Sequence, residues 1–190
     1  MEERTHELSV QYKKLEPANE EIFKNKSEIE NKNKDITDSI NYAKRIQETL
    51  LPDLKNMNTL LDEYFIYYCP KDIVSGDFYW QRENENGLYL AVVDCTGHGV
   101  PGAFMSLLGI TFLNEIITKE THLAPAEILN KLRSKIIKEL SQYGRDGETQ
   151  DGMDISLVNF NKSKNILEWA GANNPLWILK NSNENKKLEE

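Results

Sequence analysis

Cysteine is almost missing from this 190-residue sequence: Cys69 and Cys95 are the only two. They lack metal-site spacing and cannot build a disulfide framework, which points to a reducing, cytoplasmic setting. No run of apolar residues approaches the roughly 20 that a membrane span requires. The N-terminus carries neither a signal-peptide nor a transit pattern, so no membrane span is expected in this chain. Positive charge is in deficit, with 23 Lys and Arg against 31 Asp and Glu and a net charge of -8. With no basic stripe evident, that balance excludes a general nucleic-acid or anionic-membrane surface. Internal repeats are absent. What remains is 39% hydrophobic and 28% charged, enough for one domain with a proper core plus an appendage.

Glycine is absent from residues 1–52, where charge is dense and apolar residues recur every seven positions as Leu8, Leu15, Ile22, Ile29, Ile36, Ala43 and Leu50. That is the a position of a heptad and predicts a coiled coil. The d positions, Tyr12, Asn19, Lys26, Asn33, Ile40 and Gln47, are half polar, which lowers stability but can fix register. Pro17 should interrupt or start a helix, so the main helix is expected from about Ala18 to Leu50. The seam predicts a parallel homodimer; the alternative is a solvated helix packed on its own domain. Pro52 disfavours helix at Leu51 and marks the boundary. The reading is therefore a helical coiled-coil linker over 1–52 and a compact domain over 53–190.

The compact domain is organised around Pro70 to Phe104, which reads PKDIVSGDFYW, a polar connection, then LAVVDCTGHGVPGAF. Asp77 and Asp94 each sit at the end of a predicted strand. The Gly-ended connection Glu83 to Gly87 would pair those strands as a hairpin and bring both carboxylates to one end of the sheet. Two hard oxygen ligands there suit Mg²⁺ or Mn²⁺. The glycines after Asp94 allow close backbone approach, and Pro101 suits a helix start. Tyr64 to Tyr68, Asp77 to Arg82, Leu88 to Val93, Met153 to Phe160, Ile166 to Ala170 and Leu176 to Leu179 read as strands. Pro101 to Thr118, apolar nearly all round, and Pro125 to Leu140, with one core stripe, read as helices. The loop Gln142 to Gln150 and the tail from Asn181 are polar, and Trp169 and Trp177 are expected in the core.

The motifs SGDFYW and VVDCTGHGVPGAFMS, followed in order by Asp151-Gly152-Met153-Asp154-Ile155-Ser156-Leu157 and Trp169-Ala170-Gly171-Ala172-Asn173-Asn174-Pro175-Leu176, resemble the signature of the bacterial SpoIIE/RsbU-like phosphatases. These are a branch of the metal-dependent type 2C serine/threonine protein phosphatases. The resemblance covers roughly Leu51 to Lys180, and Ser39 to Pro52 is similar to the linker that precedes the family's domain. It implies an α/β fold, an antiparallel β-sandwich flanked by helices. Asp77 and Asp94 match the family's metal-ligand aspartates, Asp94 bridging two Mn²⁺ or Mg²⁺ ions, with the Cys95 carbonyl as a neighbouring ligand. The implied substrate is a phosphoserine or phosphothreonine on a protein such as an anti-sigma-factor antagonist. The implied input is an upstream sensor acting through the N-terminal helix.

Other readings stay beside these. A lone Asp at a strand end is most often a turn or cap residue. Cys95 as a thiolate nucleophile would need a cysteine-phosphatase context, and no C-x₅-R motif follows it. His98 could act as a general acid or simply make a loop hydrogen bond, and Asp154 could support the site from behind. The family's later motifs, a GD-x-L strand, an acidic Asp-Gly turn and a final strand with another aspartate, do not occur in this sequence. Weak or absent catalysis by these 190 residues is therefore expected, with a non-catalytic, dimerising interaction module as the alternative.

Overall fold

The computed structural model describes residues 2–53, 61, 63–120, 122–145, 150–161 and 164–179. The middle of the Gln142 to Gln150 loop, the tail from Asn181 and the side chains of Leu8 and Tyr12 lie outside the described residues. The chain divides into two compact units, Met1–Ala43 and Lys44–Glu190. Helix α1, Glu2–Leu50, therefore contributes its last turns to the second unit.

In the first unit α1 continues through Pro17 instead of starting after it. An exposed helix can solvate the carbonyl that proline leaves unpaired, so the ring need not end it. Glu28–Lys32 at 2.7 Å and Lys26–Glu30 at 3.9 Å, each four residues apart, support the helix by about 0.3–0.5 kcal/mol apiece. The heptad residues Leu15, Ile22, Ile29 and Ile36 are 57–63% exposed, an apolar stripe left open among the described residues.

The second unit is built on one four-stranded antiparallel sheet in the order β1-β2-β3-β4, with β1 Phe78–Asn84, β2 Gly87–Cys95, β3 Met153–Asn161 and β4 Ile166–Ala172. The β1–β2 hairpin turns at Glu85-Asn86, where the Asn86 N–H donates to Asn84 Oδ1 at 2.9 Å. Strand alternation sends Phe78, Trp80, Tyr89, Ala91, Val93, Cys95, Ile155 and Leu157 to one buried face. That face is covered by α2, Gly99–Lys119, and α3, Pro125–Glu139. By length and composition α2 could cross a membrane, but here it is a core helix with 56% of its apolar window buried. Met105, Ile110, Phe112, Leu113, Ile116 and Ile117 are all in the core, while Phe104 is exposed, so burial takes most of the helix but not the whole apolar surface.

α3 ends in a Schellman motif: Ser141, at φ 54°, lets the Gln142 N–H reach Ile137 O at 2.9 Å and the Ser141 N–H reach Lys138 O at 3.2 Å. Three expectations fail. Tyr64 to Tyr68 and Leu176 to Leu179 are irregular, because among the described residues neither finds a ladder partner, and β propensity alone does not make a strand. Trp169 and Trp177 are 46% and 74% exposed. The buried tryptophan is Trp80, whose indole N–H finds Asn114 Oδ1 at 3.0 Å, satisfying the polar atom that burial would otherwise leave unpaired.

Candidate metal centre

Because Phe78 pairs with Val93 and points into the core, the residues one step further out, Asp77 and Asp94, fall side by side on the opposite face at one sheet end. Burial, then the hydrogen bond with Asp94 and the repulsion of its charge, hold the Asp77 carboxyl above its ordinary range. Asp154 pairs with Asp94 across β2 and β3, and its Oδ1 accepts from Asn173 Nδ2 at 3.2 Å. Among the described residues no group of three or more Asp, Glu, His or Cys side chains is arranged to hold a metal ion.

The loop after Asp94 is held close to the Ser75-Gly76-Asp77 turn. A Cβ on Gly76 would stand 2.9 Å from Gly97 O and 3.3 Å from Cys95 O, and one on Gly102 would stand 2.7 Å from Gly97 O. Only glycine permits this approach, which leaves the Cys95 carbonyl beside the turn that carries Asp77. The Thr96 N–H donates to Gly152 O, and the Gly152 N–H to Thr96 Oγ1, both at 3.0 Å. These bonds extend the β2–β3 ladder to the loop. The Cys95 side chain points into the core, where burial, then the charges of Asp77 and Asp94, push its thiol up to about 12. Buried on the core face of the sheet, the thiol is not presented to the side where Asp77 and Asp94 meet.

His98 sits at the N-terminus of α2 without capping it. Its Nδ1 lies 2.7 Å from Asp72 Oδ2, with both side chains exposed, so the loop hydrogen bond is the arrangement present. Asp72 was not singled out from the sequence. A larger omission is Gln47, assigned by the heptad to a d position but only 4% exposed within the second unit. Its Nε2 donates to Ser75 O at 2.6 Å and Ser106 Oγ at 2.7 Å, and its Oε1 accepts from the Ser75 N–H at 3.0 Å. One amide thus ties the end of α1 to the turn two residues before Asp77 and to α2. The only signal available was a polar residue among apolar Ile46, Leu50 and Leu51.

A sheet backed by two helices, with paired aspartates at the sheet end and a glycine loop beside them, defines a type 2C phosphatase-like α/β domain. The structure is similar to the SiaA-PP2C domain of Pseudomonas aeruginosa, with TM-score 0.64 and 38% identity over 73% of this chain. The match covers 54% of that chain, so this chain spans about half the length of the structure it matches. The family model for stage II sporulation protein E (SpoIIE) matches residues 84–190. The chain belongs to the SpoIIE family. No curated protein matches it significantly.

Proposed function

We propose that this chain is a phosphatase module that uses Mn²⁺ or Mg²⁺ to hydrolyse phosphoserine or phosphothreonine on a regulatory protein, such as an anti-sigma-factor antagonist, in the cytoplasm. The observation that carries the reading is the Asp77–Asp94 pair: two carboxylates held together against their mutual repulsion, a donor set that a divalent cation would relieve. Asp77 and Asp94 would hold the metal, with the Cys95 carbonyl as a third oxygen. When bound, the metal would supply Lewis-acid activation of water and neutralise phosphoryl charge. The chain's own contribution is to orient these oxygens. The β1–β2 register sets the carboxylates side by side, the glycine contacts bring the Cys95 carbonyl close, and Asp154 with Asn173 braces Asp94 from β3. Water attacks phosphorus directly in this scheme as the seryl or threonyl oxygen leaves, and no covalent enzyme intermediate is required.

The same reading gives α1 a role in input. Gln47 is bonded to the turn preceding Asp77, so a displacement of the helix end would move that turn, and the exposed heptad stripe suits a parallel homodimer acting under an upstream sensor. The test is hydrolysis of a phosphoserine peptide and of para-nitrophenyl phosphate with and without Mn²⁺, by a chain extended to the length of the SiaA-PP2C domain and by its Asp94→Asn variant. Metal-dependent turnover lost in Asp94→Asn is expected; turnover that survives the substitution would overturn the site.

A further inference from the structure

Asp77 and Asp94 border a cavity of about 480 Å³ on the sheet face opposite the helices. Apart from Asn174, the described residues that line it all come from Leu61 to Asp94. Asn174 reaches this place because the turn after β4 is fastened to the sheet end. Asn173 forms a bridge with Ile155, the residue that pairs with Val93. Its Nδ2 donates to Oδ1 of Asp154, the cross-strand partner of Asp94. A φ of 55° at Asn173 turns the chain, and the following Pro175 favours an extended Asn174. The turn also packs closely on β4, since a Cβ on Gly171 would stand 2.7 Å from Asn174 O. Asn174 is half-buried, so it keeps surface to offer a ligand.

The groups already assigned to the metal centre, the Asp77 and Asp94 carboxylates and the Cys95 carbonyl, are acceptors only. A phosphate monoester brings further acceptor oxygens, and those not held by the cation need an N–H or O–H donor. Tyr68 OH, on the cavity wall, is already donating to Asp77 O at 3.3 Å. A Lys or Arg in this position would pair with the two carboxylates and compete with the cation. A neutral carboxamide donates without that competition. We propose that Asn174 positions the phosphoryl group of the substrate, its Nδ2 donating to a phosphoryl oxygen while Asp77 and Asp94 serve the cation. This inference rests on the phosphatase reading and adds to it a substrate-binding residue supplied by the turn after β4.

The experiment uses the chain extended to the length of the SiaA-PP2C domain, with Asn174→Ala, the isosteric Asn174→Asp, and Asp94→Asn. Calorimetric titration with inorganic phosphate in the presence of Mg²⁺ reads the phosphoryl contact without turnover, titration with Mn²⁺ reads the cation, and para-nitrophenyl phosphate gives kcat and KM. Asn174→Ala should weaken phosphate and raise KM about tenfold, the loss expected for a hydrogen bond to a charged group, with Mn²⁺ affinity unchanged. Asn174→Asp, which removes the donor and adds a negative charge, should weaken phosphate more than Asn174→Ala does without weakening Mn²⁺. A purely structural role would not produce that order. Thermal unfolding identifies folded variants, and if Asn174→Ala does not fold, Asn174→Asp carries the test. Phosphate affinity and KM unchanged in either folded variant would overturn the proposal, as would an equal loss of Mn²⁺ and phosphate, the mark of a metal ligand. Mn²⁺ binding lost in Asp94→Asn while phosphate is indifferent to Asn174 removes this inference alone. Mn²⁺ binding and turnover that survive Asp94→Asn remove the metal-site reading, and the role of Asn174 with it.

Discussion

At the residue scale, Asp77 and Asp94 are costly to the fold in the absence of a cation. The folded-state pKa of Asp77 is raised, so the folded chain holds its proton more tightly than the unfolded one. The contribution of this one group to stability is therefore most favourable at acid pH, below about 3.8, and is lost as pH rises through the raised value. We expect Asp77→Asn to be more stable than the natural chain at pH 7 without metal, with the difference vanishing near pH 3. Urea unfolding at the two pH values checks this, and Mn²⁺ should stabilise the natural chain alone. The two thiols make a second case. Cys69 is exposed and Cys95 buried, so a disulfide reagent at pH 8 should modify one thiol in the folded chain and two in denaturant. Rapid modification of both would contradict the burial that removes Cys95 from the chemistry. Gln47 is the third: Gln47→Leu leaves the Ser75 N–H without its acceptor and Ser106 Oγ without its donor, and should cost about 1–3 kcal/mol in urea unfolding.

At the element scale, α3 shows how a helix end can be set by backbone geometry against local preference. Ser141 occupies the left-handed position, at φ 54°, that glycine fills at least cost. Ser141→Gly should raise stability by about 0.5–1 kcal/mol, read as a higher unfolding midpoint; a lower midpoint would mean that the serine side chain matters more than its backbone. In α1 the lesson runs the other way. Its apolar seam is legible from spacing alone, and Leu15, Ile22, Ile29, Ile36 and Leu50 are exposed in the single chain. We expect a dimer by sedimentation at micromolar concentration, converted to monomer by Ile29→Asp with Ile36→Asp; an unchanged mass would remove the basis for the coiled coil.

At the scale of the whole molecule, the hairpin signal around Glu83 to Gly87 and the period-2 burial of its strands determined by themselves that Asp77 and Asp94 would meet, because register follows from turn position and alternation. The helices over Gly99–Lys119 and Pro125–Glu139 were likewise readable, since their apolar periodicity is local. What sequence could not decide was every feature that depends on a distant partner. Tyr64 to Tyr68 has the composition of a strand but joins no strand ladder among the described residues, and Trp169 and Trp177 have the bulk of core residues but are 46% and 74% exposed. Gln47 has the place of a coiled-coil position yet is buried against Ser75 and Ser106, 28 and 59 residues away. Periodicity reports how a segment relates to itself. Only the tertiary structure sets which buried polar groups find partners, because each such bond joins segments whose proximity exists only once the sheet and its helices have closed around one core.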